Sequence, residues 1–204
     1  MVSTRVRTLE FTLMPLRLCT VSCTLLCTLL AAAARADAPP APALLDLKEI
    51  SLTYTVVHKL HVVTATCKVA EGKAAVTPGG PARVQVRAKV ACFDSGDSNR
   101  DVHMREVTHE ALHPYVSVKG TIDAVALPIS APVERTLNAR VELNGEAQTV
   151  AIPITLSQEG SVIRGRAKFP VSLDGFKIER PSLLTIKVED TLTLEGDLAF
   201  EAPK

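Results

Sequence analysis

The residues best suited to chemistry lie between positions 58 and 113, the stretch that holds all five histidines of the 204-residue chain. His109-Glu110-Ala111-Leu112-His113 is a literal H-E-x-x-H. On a continuous helix that spacing sets two imidazoles one turn apart for a zinc ion, and the Glu polarises a metal-bound water. A zinc-dependent hydrolase is therefore one reading of the chain. Pro114 works against it, because a residue before proline is pushed out of helical ψ and His113 is then expected outside the helix. No histidine follows, so a third ligand would come from an Asp or Glu, or from His58, His61 or His103. Those three could meet if the first strand connection and the helix share one end of the fold. The plainer role for His103, a hydrogen-bonded polar residue near a helix start, is preferred.

Other sources of chemistry are thin. Gly79-Gly80 sits in a Pro-Gly-Gly-Pro turn rather than a phosphate loop, and no G-x-S-x-G is present. Cys67 and Cys92 form no C-x-x-C pair. No catalytic residue, metal ligand or cofactor is assigned, and the chain is expected not to be an enzyme.

Composition sets the class of protein that must position these groups. The chain is 47% hydrophobic and 22% charged, which is ordinary for a globular protein. Its formal net charge is +1. Four basic groups (Arg5, Arg7, Arg17, Arg35) stand against one acid, Glu10, in residues 1–36, so the remainder is close to neutral. Such a domain has no electrostatic footprint for nucleic acid. Aromatic residues make up 3%, with no Trp, which also argues against base stacking.

From Met14 onward the amino terminus reads as a secretory signal, with Met14 a candidate true start. Arg17 closes a basic segment, an apolar run follows to Ala34, and Ala34-Arg35-Ala36 offers small residues at a cleavage site before Asp37. Residues 1–36 are read as the signal and 37–46 as a Pro-rich spacer. Residues 47–204 are read as the folded domain. The expected location is periplasmic or secreted, without stable membrane insertion once the signal is cut.

The rest of the chain alternates. Ile50, Leu52, Tyr54 and Val56 are spaced by two, as are Val84, Val86, Ala88 and Val90. Leu137, Ala139, Val141 and Leu143 lead into Asn144-Gly145, a strong hairpin signal, and Val150 to Leu156 return. Pro153 is expected to point outward at an edge or bulge. About eight strands with short turns predict an all-β fold, an antiparallel barrel or sandwich. One helix interrupts it. Ser98 and Asp101 suggest a capping box, and Met104, Val107 and Ala111 recur at helical spacing before Pro114.

Phe93-Asp-Ser-Gly-Asp-Ser-Asn-Arg-Asp-Val-His-Met104 resembles the YceI-like family of periplasmic lipid-binding proteins. That family has an Asp-containing turn and then Arg-Asp-x-His-(Leu/Met) between its third strand and a short helix. His58-x-x-His61, Leu143-Asn144-Gly145 and Leu112-His113-Pro114 add to the likeness. The resemblance implies an eight-stranded antiparallel lipocalin-like β-barrel with one short helix after the third strand. It also implies a cavity for a polyisoprenoid or quinone tail. The expected ligand-binding residues are the inward ones: Tyr54, Val56, Val86, Ala88, Val90, Val118, Val141, Ile152, Ile154, Phe169 and Leu194. The expected partner is a long-chain isoprenoid or similar lipid, with no nucleic acid, and a homodimer is an allowed assembly. The same inward residues would also suit a filled barrel acting as a cell-envelope structural module.

Cys67 and Cys92 remain after signal cleavage. A two-residue turn at Gly79-Gly80 would set them directly opposite across a hairpin, with Cα atoms about 4.5 Å apart and a disulfide in reach. A bulge at Gly72 or a wider turn at Pro81 would shift that register. Two separate thiols, with Cys92 facing the interior, are the alternative.

Overall fold

A computed structural model describes residues 41–58, 61–180, 182–183 and 186–202. The signal reading and the first part of the spacer lie outside these residues. The first strand, β1 (Ala43–His58), begins inside the segment 37–46 read as spacer. Leu45, the first buried residue of β1, packs into the core and holds this end of the strand on the sheet.

Ten more strands follow: β2 (His61–Cys67), β3 (Glu71–Val76), β4 (Ala82–Lys89), β5 (Tyr115–Ile122), β6 (Val133–Leu143), β7 (Glu146–Glu159), β8 (Val162–Ser172), β9 (Ser182–Leu183), β10 (Ile186–Lys187) and β11 (Thr191–Glu201). Sheet order is β11-β8-β7-β6-β5-β4-β3-β1-β2, and β11 also pairs with β1 to close a barrel. Along one edge of β1, β3 takes Ala43–Asp46 and β2 takes Leu52–His58. The two therefore act as one strand broken at residues 68–70. Counted so, the closed antiparallel barrel has eight strands and the helix follows the third, as the resemblance implied.

The period-2 pattern explains the barrel wall. In β4, Ala82, Val86 and Ala88 are buried while Arg83, Gln85, Arg87 and Lys89 face water. In β7, Ile152, Ile154 and Leu156 are buried and Ala151, Pro153 and Thr155 are exposed. A closed sheet leaves no edges and needs one apolar face only. Asn144 (φ 52°) and Gly145 (φ 74°) form the tight β6–β7 turn, where both residues must enter the left-handed region.

Two prolines mark where the wall opens. The β7–β8 ladder runs from Glu159–Val162 to Ile154–Ala167 and stops there. Pro153 and Pro170 lie just beyond, one on each strand, and neither can donate to a ladder. The chain from Leu173 to Ile178 sits beside β7. Its Phe176 is fully buried, and Asn144 Nδ2 donates to the Phe176 and Lys177 carbonyls at 3.0 and 3.1 Å. Gln148 Nε2 donates to the Gly175 carbonyl.

Helix α1 spans Ser98–Val107. Its cap is Asp97, not Ser98: the Asp97 carboxylate accepts from the Asn99 and Arg100 N–H groups at 3.0 and 3.2 Å. Asp101 has a different job from a capping-box acid. It is buried and accepts from the Ser95 N–H at 3.1 Å, tying the preceding turn to the helix. The helix ends before Ala111, because His109 adopts a left-handed φ of 47°.

Cys67 and Cys92 form a disulfide, with Cα atoms 5.2 Å apart. Its geometric basis differs from the expected hairpin. Cys67 belongs to β2, whereas the β3–β4 hairpin pairs Val76 with Ala82 across a turn of residues 77–81. Pro81 accepts from the Thr77 N–H at 3.3 Å but cannot donate in return, so the turn is wider than two residues. The bridge instead joins β2 to the segment before α1, beside the Thr66–Asp94 pairing. Gly72 is not a bulge. It pairs regularly with Val86, and a side chain there would meet Leu47 at 3.0 Å.

Candidate functional site

Alternation places one face of every long strand inside the barrel, and those faces do not fill it. A lower chamber of about 180 Å³ lies among the strands. An upper chamber of about 350 Å³ lies between the barrel mouth and α1. Phe93, Val116 and Leu194 line both, so the two chambers meet at these side chains. The upper volume alone falls within the range of about 300–1,000 Å³ common for small-molecule sites.

Most of the expected residues line one chamber or the other. Val86, Ala88, Val118, Ile152, Ile154 and Phe169 line the lower one. Tyr54, Val56 and Val90 line the upper one, and Leu194 lines both. Val141 is fully buried in the core and lines neither.

Sequence reasoning missed the upper wall. Met104 and Val107 of α1 face the chamber, and Leu173 and Ile178 close it from the far side. The signal was present in α1: Arg100, His103, Met104 and Val107 recur at helical spacing and form the face turned to the cavity. The Leu173–Ile178 wall was harder to see, because it carries no strand or helix period.

The polar groups of the upper chamber are few and one-sided. His58, His61, His103, Arg100 and Thr108 line it together with Tyr54, and among the described residues no carboxylate does. His58 is buried and its ring centroid lies 5.2 Å from that of His61. His103 Nδ1 lies 3.6 Å from the Glu106 carboxylate, and Arg100 lies 3.6 Å from that of Asp97. The first connection and the helix thus do share one mouth. Among the described residues, no three His, Cys, Asp or Glu side chains are grouped closely enough to hold a metal ion.

Tyr54 stands deeper, with its ring centroid 5.5 Å from that of Phe93. Burial first, and then the Asp101 carboxylate, push its phenol up to about 12, with Arg100 pulling the other way. It is a neutral hydroxyl at any physiological pH, compatible with an apolar neighbour.

The H-E-x-x-H segment faces elsewhere. It lies beyond α1, in turns. His109 Nδ1 donates to Asn144 Oδ1 at 2.8 Å. The His113 ring packs over Gly145, where a side chain on that glycine would meet it at 2.7 Å. Both imidazoles therefore buttress the β6–β7 turn. The two-histidine face on one helix, which zinc chemistry requires, is not formed.

A closed eight-stranded antiparallel barrel with an internal apolar cavity and a helix over its mouth defines a lipocalin-like architecture. A family model for the YceI-like domain matches residues 45–200, and the chain belongs to that family. Solved structures share the fold. A polyisoprenoid binding domain from Saccharophagus degradans aligns with a TM-score of 0.63 at 15% identity, covering 79% of this chain and 99% of that one. BcnA of Burkholderia cenocepacia aligns at 0.61 and 17% identity, covering 74% and 95%. The YceI protein of Campylobacter jejuni aligns at 0.51 and 11% identity, covering 60% and 73%. No curated protein matches the chain.

Proposed function

We propose that the protein is a non-enzymatic carrier that holds the tail of a long apolar lipid, of polyisoprenoid or quinone type, inside its barrel. The observation that carries this is the pair of apolar chambers meeting at Phe93, Val116 and Leu194. Ligand class follows from the family and from the similar Saccharophagus domain, which is described as polyisoprenoid-binding. Each CH₂ moved from water into such a cavity contributes about 0.8 kcal/mol. About ten of them would contribute about 8 kcal/mol, the scale of a micromolar dissociation constant before the loss of ligand motion.

Export to a periplasmic or secreted location is part of the proposal. The signal-like amino terminus supports it, and so does a disulfide, which persists in oxidising compartments. One chain encloses both chambers, so binding requires no second copy. The open chambers count against a filled structural barrel, and the separate employment of His109 and His113 counts against a zinc hydrolase.

Thermal unfolding with an added polyisoprenol tests the reading. A ligand at about 100 times its dissociation constant stabilises by about 2.7 kcal/mol. For a domain of this size that raises Tm by roughly 5–10 °C. An unchanged Tm at saturating isoprenoid, quinone and other long-chain lipids would overturn the carrier role.

A further inference from the structure

Adjacent antiparallel strands can turn on two residues, and β6 passes to β7 through Asn144 and Gly145 alone. β5 and β6 are also adjacent, yet residues 123–132 lie between them. The extra chain runs beneath the barrel, at the end opposite α1. Near its start it is tied to the β3–β4 turn. The Gly79 N–H donates to the Val125 carbonyl at 3.1 Å, and the Val125 N–H donates to the Gly80 carbonyl at 2.9 Å. Further on, the Ile129 N–H donates to Gln158 Oε1 at 3.0 Å, close to the end of β7. Gln158 Nε2 donates in turn to the Gly160 carbonyl at 2.9 Å, which holds the amide in that orientation. In the sheet β5 and β6 separate β4 from β7, so the segment spans the barrel end instead of following one rim.

Every second side chain of this segment turns into the barrel. Val125 and Ile129 are buried in the core and Leu127 packs against it, while Ala124, Ala126, Pro128 and Ser130 are exposed. Val125 also lines the lower chamber. Beside it in that lining are Val76, Ala82 and Ile122, the residues at which β3 ends, β4 begins and β5 ends. The chamber that meets the upper one at Phe93, Val116 and Leu194 therefore stops, at its other end, on Val125.

We propose that Val125 is the floor of the binding site and sets the length of apolar tail that the barrel encloses. The proposal rests on the carrier reading. Arg100 and the imidazoles stand in the upper chamber, so a lipid that leaves its polar end there sends its apolar end toward the floor. Each further methylene is transferred out of water until the tail meets Val125. Past that length, an added methylene has to displace a side chain close-packed in the core and a backbone bonded at Gly79, Gly80 and Gln158. It stays in water instead and adds nothing to affinity. The specificity of the site is thus a limit on tail length, and Val125 is the residue that fixes it.

The test is binding of linear primary alcohols, lengthened one carbon at a time, read by displacement of a fluorescent polyene probe from the folded protein. Wild-type affinity should rise about fourfold per added methylene and then stop at a definite length. Val125→Ala takes two methyl carbons off the floor and should move the stop to alcohols about two carbons longer. Val125→Phe puts a ring there and should move the stop to shorter alcohols, with the longest one that wild type encloses losing about tenfold or more. Circular dichroism checks that each variant is folded. The two shifts have opposite signs, so either variant alone decides the matter. Val107→Ala, in the wall of the upper chamber, should weaken binding at every length and leave the stop where it is. A stop that the Val125 variants do not move, or an affinity that rises without limit, overturns the floor and leaves the carrier role standing. So does a stop that Val107→Ala moves as far as Val125→Ala. Wild-type protein that takes neither the probe nor any alcohol or isoprenol overturns the carrier reading and the floor with it.

Discussion

His109 Nδ1 donates to Asn144 Oδ1 across 2.8 Å, and the same amide donates to the carbonyls of Phe176 and Lys177. One side chain in a left-handed turn thus ties together the end of α1, the β6–β7 hairpin and the Leu173–Ile178 wall of the chamber. Asn144→Ala removes all three bonds and leaves buried carbonyls without that partner. It should cost about 1–3 kcal/mol in urea denaturation. Glu110→Gln should change stability by less than about 0.5 kcal/mol. A zinc-dependent activity abolished by Glu110→Gln would contradict this assignment of the segment.

The Cys67–Cys92 bridge spans a sequence separation of 25 and anchors the chain just before α1 to β2. In the chain-entropy picture a loop of that length contributes about 3 kcal/mol. The double substitution Cys67→Ala, Cys92→Ala should lower stability by that order. Phe93 and Val90 lie beside the bridge and line the upper chamber, so the variant should also release bound lipid faster. Thiol titration of the unfolded, unreduced protein should find neither Cys67 nor Cys92 free. Two free thiols would contradict the bridge.

Much of this architecture was legible in the sequence, because a barrel wall is written in residue alternation. Val84, Val86 and Ala88, or Ile152 and Ile154, announce which face is inward, and Asn144-Gly145 announces a two-residue turn. Pro153 likewise read correctly as an edge. The register around Cys67 was not legible. The chain steps from β2 to β3 within residues 68–70, and both strands borrow the same edge of β1, which no local pattern reveals. The cavity-facing side of α1 could have been read from Arg100, His103, Met104 and Val107. The wall built by Leu173–Ile178 depends instead on hydrogen bonds to Asn144 and Gln148, residues far off in sequence.

The passage between the chambers offers a direct intervention. Val116 lines both, and Val116→Phe places a ring where they meet. The substitution fills empty volume, so stability should change by no more than the 1–3 kcal/mol seen when extra carbon is forced into well-packed cores. Tail binding should weaken by about tenfold or more, since roughly two CH₂ groups excluded from the lower chamber account for about 1.6 kcal/mol. Calorimetric titration with isoprenols of increasing length checks it. Affinity should stop rising with chain length in the variant while it continues to rise in the wild type.

Acid should loosen the outer wall before the chamber. Burial alone would raise the Asp197 pKa, but hydrogen bonds from Arg164 and Arg166 hold its carboxyl below the ordinary range. The Asp174 N–H and the Ser172 hydroxyl do the same for Asp190. A carboxylate whose pKa is lowered by folding stabilises fully above its unfolded value, near 3.9 for Asp. That contribution is lost as pH falls through the lower folded pKa. Urea midpoints should therefore be flat above about pH 5 and drop below about pH 4. Asp197→Asn should flatten the drop. An unchanged acid slope in that variant would contradict the role of the Arg164–Asp197–Arg166 cluster.

The carrier role itself is tested most directly by mass spectrometry of the protein purified without detergent or organic solvent. Lipids are extracted from it and compared with those recovered from the Val116→Phe variant. Wild-type protein is predicted to carry a single class of long apolar lipid in near-stoichiometric amount, and the variant to carry less of it or a shorter one. A barrel that is repeatedly empty, and whose stability does not respond to added isoprenoids, would contradict the account.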